Sequence, residues 1–223
     1  MGMATRNIVG IVGDVTAGFI LISPGITFRK VMKAKSVQER TCYPYLATLL
    51  NCICWVLYGI PHKNLIVVII NGIGILLEGI YSALYIAYSD GTRRMVAIIL
   101  CIAELIFTGI LVVLLLTVFR DGQHGDAREV TFGVLASLTG VLMYVSPVMD
   151  MVTVLRTKDK STMSLLLAIS SLANGVVWTV YAFFTPINWY IMVPNALGIL
   201  CASAQIVVYA IASLKLCCFN QPQ

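Results

Sequence analysis

Long hydrophobic runs dominate the chain, and short stretches of polar and charged residues separate them. Seven such runs cover residues 7–28, 42–61, 65–88, 95–119, 130–155, 165–185 and 189–214. A helix rises about 1.5 Å per residue, so each run is long enough to cross a hydrocarbon layer of about 30 Å. Backbone groups in that layer have no water to bond, which makes helices the expected structure. The pattern predicts an all-α integral membrane protein with seven transmembrane helices.

Composition agrees with this prediction, because 59% of the residues are hydrophobic and only 11% are charged. A soluble domain usually has about 25% charged residues. The net charge of +5 could suggest nucleic-acid binding, but the Lys and Arg residues lie in loops between the apolar runs. The seven cysteines lie in or at the ends of those runs, which argues against a zinc site or a disulfide framework. We therefore expect the lipid bilayer as a partner, and no nucleic acid, cofactor or metal.

The loop charges predict an orientation in the membrane. Eleven cations lie on the side of the first, third and fifth loops and the C-terminal tail: Arg29, Lys30, Lys33, Lys35, Arg40, Arg93, Arg94, Arg156, Lys158, Lys160 and Lys215. The opposite side has four: Arg6, Lys63, Arg120 and Arg128. Cytosolic loops carry the excess of Lys and Arg, so the N-terminus is predicted outside or in a lumen and the C-terminus in the cytosol. The charges do not distinguish between the plasma membrane and the vacuolar membrane as the location.

An internal repeat relates the two halves of the chain. At an offset of 123 residues the pairs include Thr16 and Thr139, Ser23-Pro24 and Ser146-Pro147, Asn51 and Asn174, Trp55 and Trp178, and Tyr58 and Tyr181. At 124 the pairs are Asn71 and Asn195, Gly74 and Gly198, and Tyr85 and Tyr209. Leu and Val often match by chance in apolar sequences, whereas paired Pro, Asn, Trp and Tyr are much rarer. We interpret residues 7–88 and 130–214 as two three-helix repeats.

The unmatched helix at 95–119 determines how the repeats are related. Three helices alone would insert the second repeat upside down, and a fourth restores the orientation of the first. The predicted architecture is therefore two parallel three-helix repeats joined by a linker helix, a 3+1+3 arrangement. Parallel repeats of this kind are a known plan for transporters.

Polar and aromatic residues recur at one predicted depth in both repeats. Trp55 lies about five residues and Asn71 about six from the outer membrane boundary, roughly 8–9 Å by helical rise. Trp178 and Asn195 are placed comparably in the second repeat. Asn51, Trp55 and Tyr58 share a helix face by their spacing, as do Asn174, Trp178 and Tyr181. An aromatic plane for the C–H surface and amides for the hydroxyls suit a pyranose sugar.

The 3+1+3 arrangement, the Ser-Pro pairs, Ile70-Asn71-Gly72 and Pro194-Asn195 resemble the SWEET sugar transporters of the PQ-loop superfamily, in their plant type. The resemblance implies that Asn71 and Asn195 bind substrate and that Trp178 lines the pocket. Trp55 stands where many relatives carry a smaller residue, and two facing indoles would favour a monosaccharide over a disaccharide. Asn51 and Asn174 are further candidates for the pocket. Interhelical hydrogen bonding and an interfacial aromatic belt are the competing roles for such Asn and Trp residues.

Prolines form a second group of candidate residues. Pro24, Pro44 and Pro147 are predicted near the cytosolic face, where a proline kinks a helix and could form an inner gate. The resemblance implies a fourth proline at position 164, where this chain has Ser164. It also implies that Tyr58, Gly59 and Tyr181 lie at an outer gate. The competing interpretation is that the prolines are tolerated for structural reasons.

Taken together, these features predict a bidirectional sugar uniporter, for example for glucose, that works by alternating access and is not an enzyme. The acids within the spans, Asp14, Glu78, Glu104 and Asp150, leave a proton-coupled transporter open. An amino-acid transporter of the PQ-loop superfamily and a seven-helix receptor are two competing interpretations. The pocket candidates carry no charge for a zwitterion, and the repeat argues against a receptor. Members of the family often associate, so homo-oligomers are one expectation.

Overall fold

The computed structural model describes residues 2–119, 124–157, 159, 163–184 and 186–219, and α-helix is the only regular secondary structure in this part of the chain. In chain order the helices are α1 (Met3–Ile22), α2 (Pro24–Ala34), α3 (Tyr43–Gly59), α4 (Leu65–Tyr88), α5 (Gly91–Thr117), α6 (Gly125–Leu142), α7 (Val145–Thr157), α8 (Leu165–Ala182) and α9 (Trp189–Phe219). Arg120, Lys158 and Lys160 of the charge comparison lie outside the described residues.

The nine described helices correspond to the seven predicted spans, because two of the spans are interrupted. Helices α1 and α2 form the first span and separate at Ser23, just before Pro24. Helices α6 and α7 form the fifth span, with a break directly after Leu142. Six segments are long and apolar enough to cross a membrane, and α3 adds a shorter seventh of 17 residues. The predicted all-helical membrane fold is confirmed.

Most large apolar side chains on the helices are exposed, as expected where lipid takes the place of water. Helix α5 is an example, since Leu105 is 70% and Leu116 62% exposed. Lipid tails are as apolar as these side chains, so their exposure carries no hydrophobic cost in a bilayer.

The chain packs into two compact units, and each takes residues from both repeats. Unit I comprises Met1–Ile20 and Val141–Gln223, and unit II comprises Leu21–Gly140. The amino-terminal part of α1 thus falls in one unit with α7, α8 and α9, while most of α6 belongs with α2 to α5. The repeat boundaries inferred from the sequence stay a prediction, because they describe sequence correspondence rather than packing.

Unit II has an aromatic core toward the end of the first span. Phe28 stacks on Tyr81 with ring centroids 5.1 Å apart, and Tyr45 packs beside both rings. The hydroxyl of Tyr85 donates to the backbone oxygen of Arg40 at 2.9 Å. Unit I has a smaller cluster of Val154, Met163 and Ala212. These contacts fix α2 in unit II and α7 in unit I.

Candidate functional site

Two hydrogen bonds between corresponding residue pairs, with opposite donors, join helices from different repeats within the compact units. In unit I the hydroxyl of Thr16 on α1 donates to Asn174 Oδ1 on α8 at 3.1 Å. In unit II Asn51 Nδ2 on α3 donates to Thr139 Oγ1 on α6 at 3.0 Å. Thr16 corresponds to Thr139 in the repeat, and Asn174 corresponds to Asn51. Each candidate asparagine is therefore held by the other repeat's threonine.

The two candidate tryptophans make matching contacts with the tyrosines that follow them. The ring centroids of Trp55 and Tyr58 lie 5.6 Å apart in an edge-on arrangement, and those of Trp178 and Tyr181 lie 5.2 Å apart. Trp178 also lies so close to Gly13 on α1 that a Cβ there would come within 2.9 Å of indole Cε2. Gly13 therefore leaves the space in which the Trp178 ring lies.

Asn71 and Asn195 have the same local geometry. Each side-chain Nδ2 donates to the backbone oxygen four residues earlier, Val67 for Asn71 and Ile191 for Asn195, at 2.8 Å in both cases. Within the described part of the chain, neither amide oxygen receives a hydrogen bond. Both side chains are half-buried. Each amide is thus fixed by its own helix and keeps an acceptor that could bind a hydroxyl donor.

Close helix packing supports Asn195 from its backbone side. A Cβ at Gly175 on α8 would lie 3.1 Å from the backbone oxygen of Asn195. The hydroxyl of Tyr144, at the break between α6 and α7, donates to the backbone oxygen of Pro194 at 2.9 Å. Sequence reasoning missed Gly13, Gly175 and Tyr144. Tyr144 escaped notice because its repeat counterpart, Leu21, is apolar, and only paired rare residues drew attention.

The candidate gate residues lie at helix boundaries. Pro24 is the first residue of α2, Pro44 the second of α3 and Pro147 the third of α7. Ser164, at the expected fourth proline position, is the N-cap of α8, and its hydroxyl oxygen accepts from Leu167 N at 3.3 Å. Their roles in gating stay predictions.

The candidate outer-gate residues lie at the carboxyl-terminal ends of α3 and α8, whereas Pro44 and Ser164 lie at the amino-terminal ends. Tyr58 and Tyr181 are both 2% exposed. The guanidinium of Arg6 lies 4.9 Å from the ring centroid of Tyr181, a cation–π contact. The His62 ring packs on Tyr58 with centroids 4.6 Å apart, and Gly59 lies against Val68.

The acids in the spans are isolated from cations in the described part of the chain. Asp14, Glu78 and Glu104 each have a buried carboxyl oxygen with no hydrogen-bond partner there. Glu78 is 2% exposed, and Asp150 is half-buried. Among the described residues, no three His, Cys, Asp or Glu side chains are grouped so that they could hold a metal ion. The candidate site is therefore built from amides and aromatic rings.

Comparison with known proteins gives one consistent result. Residues 7–93 and 130–215 match a family model described as "Sugar efflux transporter for intercellular exchange". The chain is 39% identical over 209 residues to the bidirectional sugar transporter SWEET4 of Oryza sativa subsp. indica, covering 92% of this chain and 79% of that protein. It is 37% identical over 209 residues to SWEET7 of Arabidopsis thaliana, with 92% and 79% covered.

A solved structure also resembles this fold closely. The structure of a eukaryotic SWEET transporter superposes with a TM-score of 0.84 at 27% sequence identity. The match covers 94% of this chain and 97% of that one.

Proposed function

The chain belongs to the SWEET family of sugar transporters, and we propose that it carries a monosaccharide such as glucose by bidirectional uniport. Members of this family are transporters rather than enzymes, and they are multi-pass membrane proteins. The choice of a monosaccharide and the absence of a coupling ion are specific to the proposal. They rest on the amide and indole groups described above.

The matching geometry of Asn71 and Asn195 is the observation that supports this proposal best. Each amide oxygen lacks a donor among the described residues, and each Nδ2 is held at 2.8 Å by its own helix. A pyranose offers hydroxyl donors to such oxygens and an apolar C–H surface to an indole ring. We propose that each repeat contributes one asparagine and one tryptophan, Trp55 or Trp178, to sugar binding. Asn51 and Asn174 would form part of the pocket, with their side chains held in place by the bonds to Thr139 and Thr16.

The proposed transport cycle needs no covalent step. Sugar binds, and the residues around it become accessible to one side of the membrane and then to the other. Pro24, Pro44 and Pro147 would allow the cytosolic ends to bend, with Ser164 at the fourth position. Tyr58, Gly59 and Tyr181 would open and close the outer ends. Flux then follows the sugar gradient in either direction.

Purified protein in liposomes gives a direct test of the binding residues. We expect uptake of labelled glucose, with Asn71→Ala and Asn195→Ala each lowering it by about tenfold or more, because each loses a hydroxyl partner in a desolvated site. Asn188→Ser is a matched control, since Asn188 caps α9 by accepting from Ile191 N and serine also caps helices. Normal uptake by both alanine variants would exclude these asparagines as the sugar site.

The monosaccharide preference needs its own measurement. Competition of labelled glucose uptake by unlabelled hexoses and sucrose should show inhibition by hexoses and little by sucrose. Trp55→Ser should widen the acceptance toward sucrose, because the smaller side chain leaves more room for the sugar. Equal inhibition by sucrose and glucose in the unmodified protein would contradict the proposed preference.

Proton-coupled transport is the second candidate, and the buried carboxyl of Glu78 is the observation that favours it. A membrane-embedded acid is a candidate for proton transfer by default. Uniport predicts that an imposed pH gradient leaves glucose accumulation unchanged. Concentrative uptake driven by the gradient, lost in Glu78→Gln, would instead establish coupling.

The charge asymmetry leads to a further part of the proposal. We place the N-terminus outside or in a lumen and the C-terminus in the cytosol, in the plasma membrane or the vacuolar membrane. A homo-oligomer is compatible with the mechanism, because the proposed site uses residues of one chain only.

A further inference from the structure

The side chain of Tyr144 connects two irregular points of unit I. Tyr144 lies at the break between α6 and α7, three residues before Pro147. Its hydroxyl donates to the backbone oxygen of Pro194 in α9 at 2.9 Å. The contact joins the interruption of one span to the only proline within α9.

The acceptor of this hydrogen bond is the carbonyl of the peptide that links Pro194 to Asn195. Pro194 has no backbone N–H, so the α9 ladder is already weakened at this point and the local axis is easier to bend. An external donor to the Pro194 oxygen therefore restrains a part of the helix that its own hydrogen bonds hold less firmly. The other end of the same peptide group is the backbone nitrogen of Asn195, the residue whose side chain carries the candidate amide.

Glycine makes this contact sterically possible. A Cβ at Gly198, one turn beyond Pro194, would overlap the Tyr144 hydroxyl and lie 3.0 Å from Cζ. Gly175 allows α8 to approach the Asn195 backbone oxygen in a similar way. The backbone around Asn195 is thus held by side-chain and main-chain contacts from two other helices.

Unit II has related packing at this point, but the counterpart of Tyr144 makes no hydrogen bond there. The counterparts of Tyr144, Pro194 and Gly198 are Leu21, Ile70 and Gly74. Leu21 Cδ1 would lie 3.4 Å from a Cβ at Gly74, so the corresponding helices α1 and α4 also approach here, although Cys52 Sγ would be the nearest atom. Neither the hydroxyl nor the proline is present there. Among the described residues, unit I has a hydrogen bond from a helix break to the peptide beside a candidate asparagine. In unit II the break is also linked to α4, but through Tyr81, whose hydroxyl donates to the Ile22 backbone oxygen at 3.5 Å, ten residues beyond Asn71.

We propose that Tyr144 is a positioning residue for sugar binding, which holds the Asn195 amide in register with the hinge at Pro147. This inference rests on the proposed role of Asn195. Bending at the break between α6 and α7 moves the phenol, and the phenol moves the peptide that carries Asn195. Sugar affinity in this half therefore depends on the state of the hinge. No described hydrogen bond of this kind reaches the peptide beside Asn71, so the response of Asn71 to sugar does not depend on Tyr144.

Tyr144→Phe tests the proposal, because it keeps the ring against Gly198 and removes only the hydroxyl. We expect the KM for glucose in proteoliposomes to rise about three- to tenfold, the factor that one lost hydrogen bond to a backbone oxygen typically produces. The maximal rate per folded protein and the thermal unfolding temperature should change little. Gly198→Ala, which displaces the hydroxyl, should raise KM in the same direction.

Tyr85→Phe is the matched control, because the hydroxyl of Tyr85 also donates to a backbone oxygen at 2.9 Å, that of Arg40, away from the candidate asparagines. Its KM should equal that of the unmodified protein. A normal KM in Tyr144→Phe, or a loss confined to thermal stability, would overturn the positioning role. Asn195→Ala measured in parallel separates the two ideas. If Asn195→Ala fails and Tyr144→Phe is normal, only this inference is wrong, whereas normal Asn195→Ala transport removes the proposed site itself.

Discussion

At the scale of single residues, small side chains decide where the large aromatic ones lie. Gly13 has no side chain, so the indole of Trp178 can pack against it, and Gly175 allows α8 to approach the backbone of Asn195. Neither counterpart is glycine, since Ala136 corresponds to Gly13 and Cys52 to Gly175 in the repeat. The two halves therefore place similar side chains by different packing.

Replacing Gly13 by alanine should disturb the Trp178 side of the candidate site. The added Cβ meets the rigid indole at 2.9 Å, so either the ring or the helix must shift. Overpacking of this kind costs about 1–3 kcal/mol of stability. We expect lower glucose uptake and a lower thermal unfolding temperature, measured on purified protein.

Gly18→Ala is the control for this substitution, because it lies on the same helix and a Cβ there meets nothing within 4 Å. It should behave like the unmodified protein. Equal behaviour of Gly13→Ala and Gly18→Ala would mean that Trp178 does not depend on the space at Gly13.

At the scale of helices, polar bonds between spans specify which helix ends meet. The Thr16–Asn174 and Asn51–Thr139 bonds lie among apolar side chains, whose contacts are much less directional. Hydrogen bonds of this type contribute on average about 0.6 kcal/mol in membrane proteins. Their value is therefore more in setting register than in total stability.

Thr16→Val and Thr139→Val should each remove one of these bonds while keeping the side-chain shape. We expect a small loss of stability, about 1 kcal/mol or less, and a larger loss of glucose uptake, because each asparagine is held less firmly. The effect should be smaller for Thr139→Val, since Asn51 keeps its bond to the Ala136 backbone oxygen at 3.2 Å. Thermal unfolding and proteoliposome uptake measured on the same samples separate the two effects.

Thr131→Val provides the comparison, since the hydroxyl of Thr131 bonds only to the backbone of its own helix, at Ala127. Uptake by this variant should be unchanged. If all three valine variants transport alike, the threonine bonds have no part in holding the asparagines for transport.

The interrupted spans allow a separate prediction at the same scale. Pro24 begins α2 directly after the break at Ser23. An alanine there can donate a helical N–H, and a proline in a helix interior costs about 3 kcal/mol relative to it, so the substitution favours a straight span. We expect Pro24→Ala to slow glucose exchange by about tenfold or more while the KM changes little.

Pro61→Ala is the control for the hinge, because Pro61 lies in the turn between α3 and α4 rather than at a break within a span. Its exchange rate should be normal. A normal rate in Pro24→Ala as well would contradict a hinge at this point.

At the scale of the whole molecule, the sequence predicted the spans but not their partners. The fourth helix, Leu65–Tyr88, has the predicted bounds because polar residues stand at both ends of one apolar run. Hydrophobicity specifies how much of a helix enters lipid, and it does not identify the neighbour. The sequence therefore did not predict that the amino-terminal part of α1 packs with α8 through Thr16 and Asn174. The contact of Tyr144 with Pro194 was missed for the reason that no residue pairing marks it.

The predicted orientation can be checked on intact cells with a membrane-impermeant thiol reagent. Ser36 and His124 are exposed and lie on opposite sides by the charge rule. We expect labelling of His124→Cys and none of Ser36→Cys until the cells are permeabilised. The unmodified chain, with its own cysteines, gives the background, and labelling of Ser36→Cys in sealed cells expressing it at the plasma membrane would reverse the assignment.

The exchanged threonine–asparagine bonds also bear on how such a chain could have arisen. Thr16 belongs to the first repeat and bonds within unit I to the second, and Thr139 does the reverse. An ancestral polypeptide of three helices would have had a threonine and an asparagine without intramolecular mates. In a dimer, two copies that exchanged this helix end would have formed both hydrogen bonds. Gene duplication with an added span would then have joined an existing dimer into a single chain.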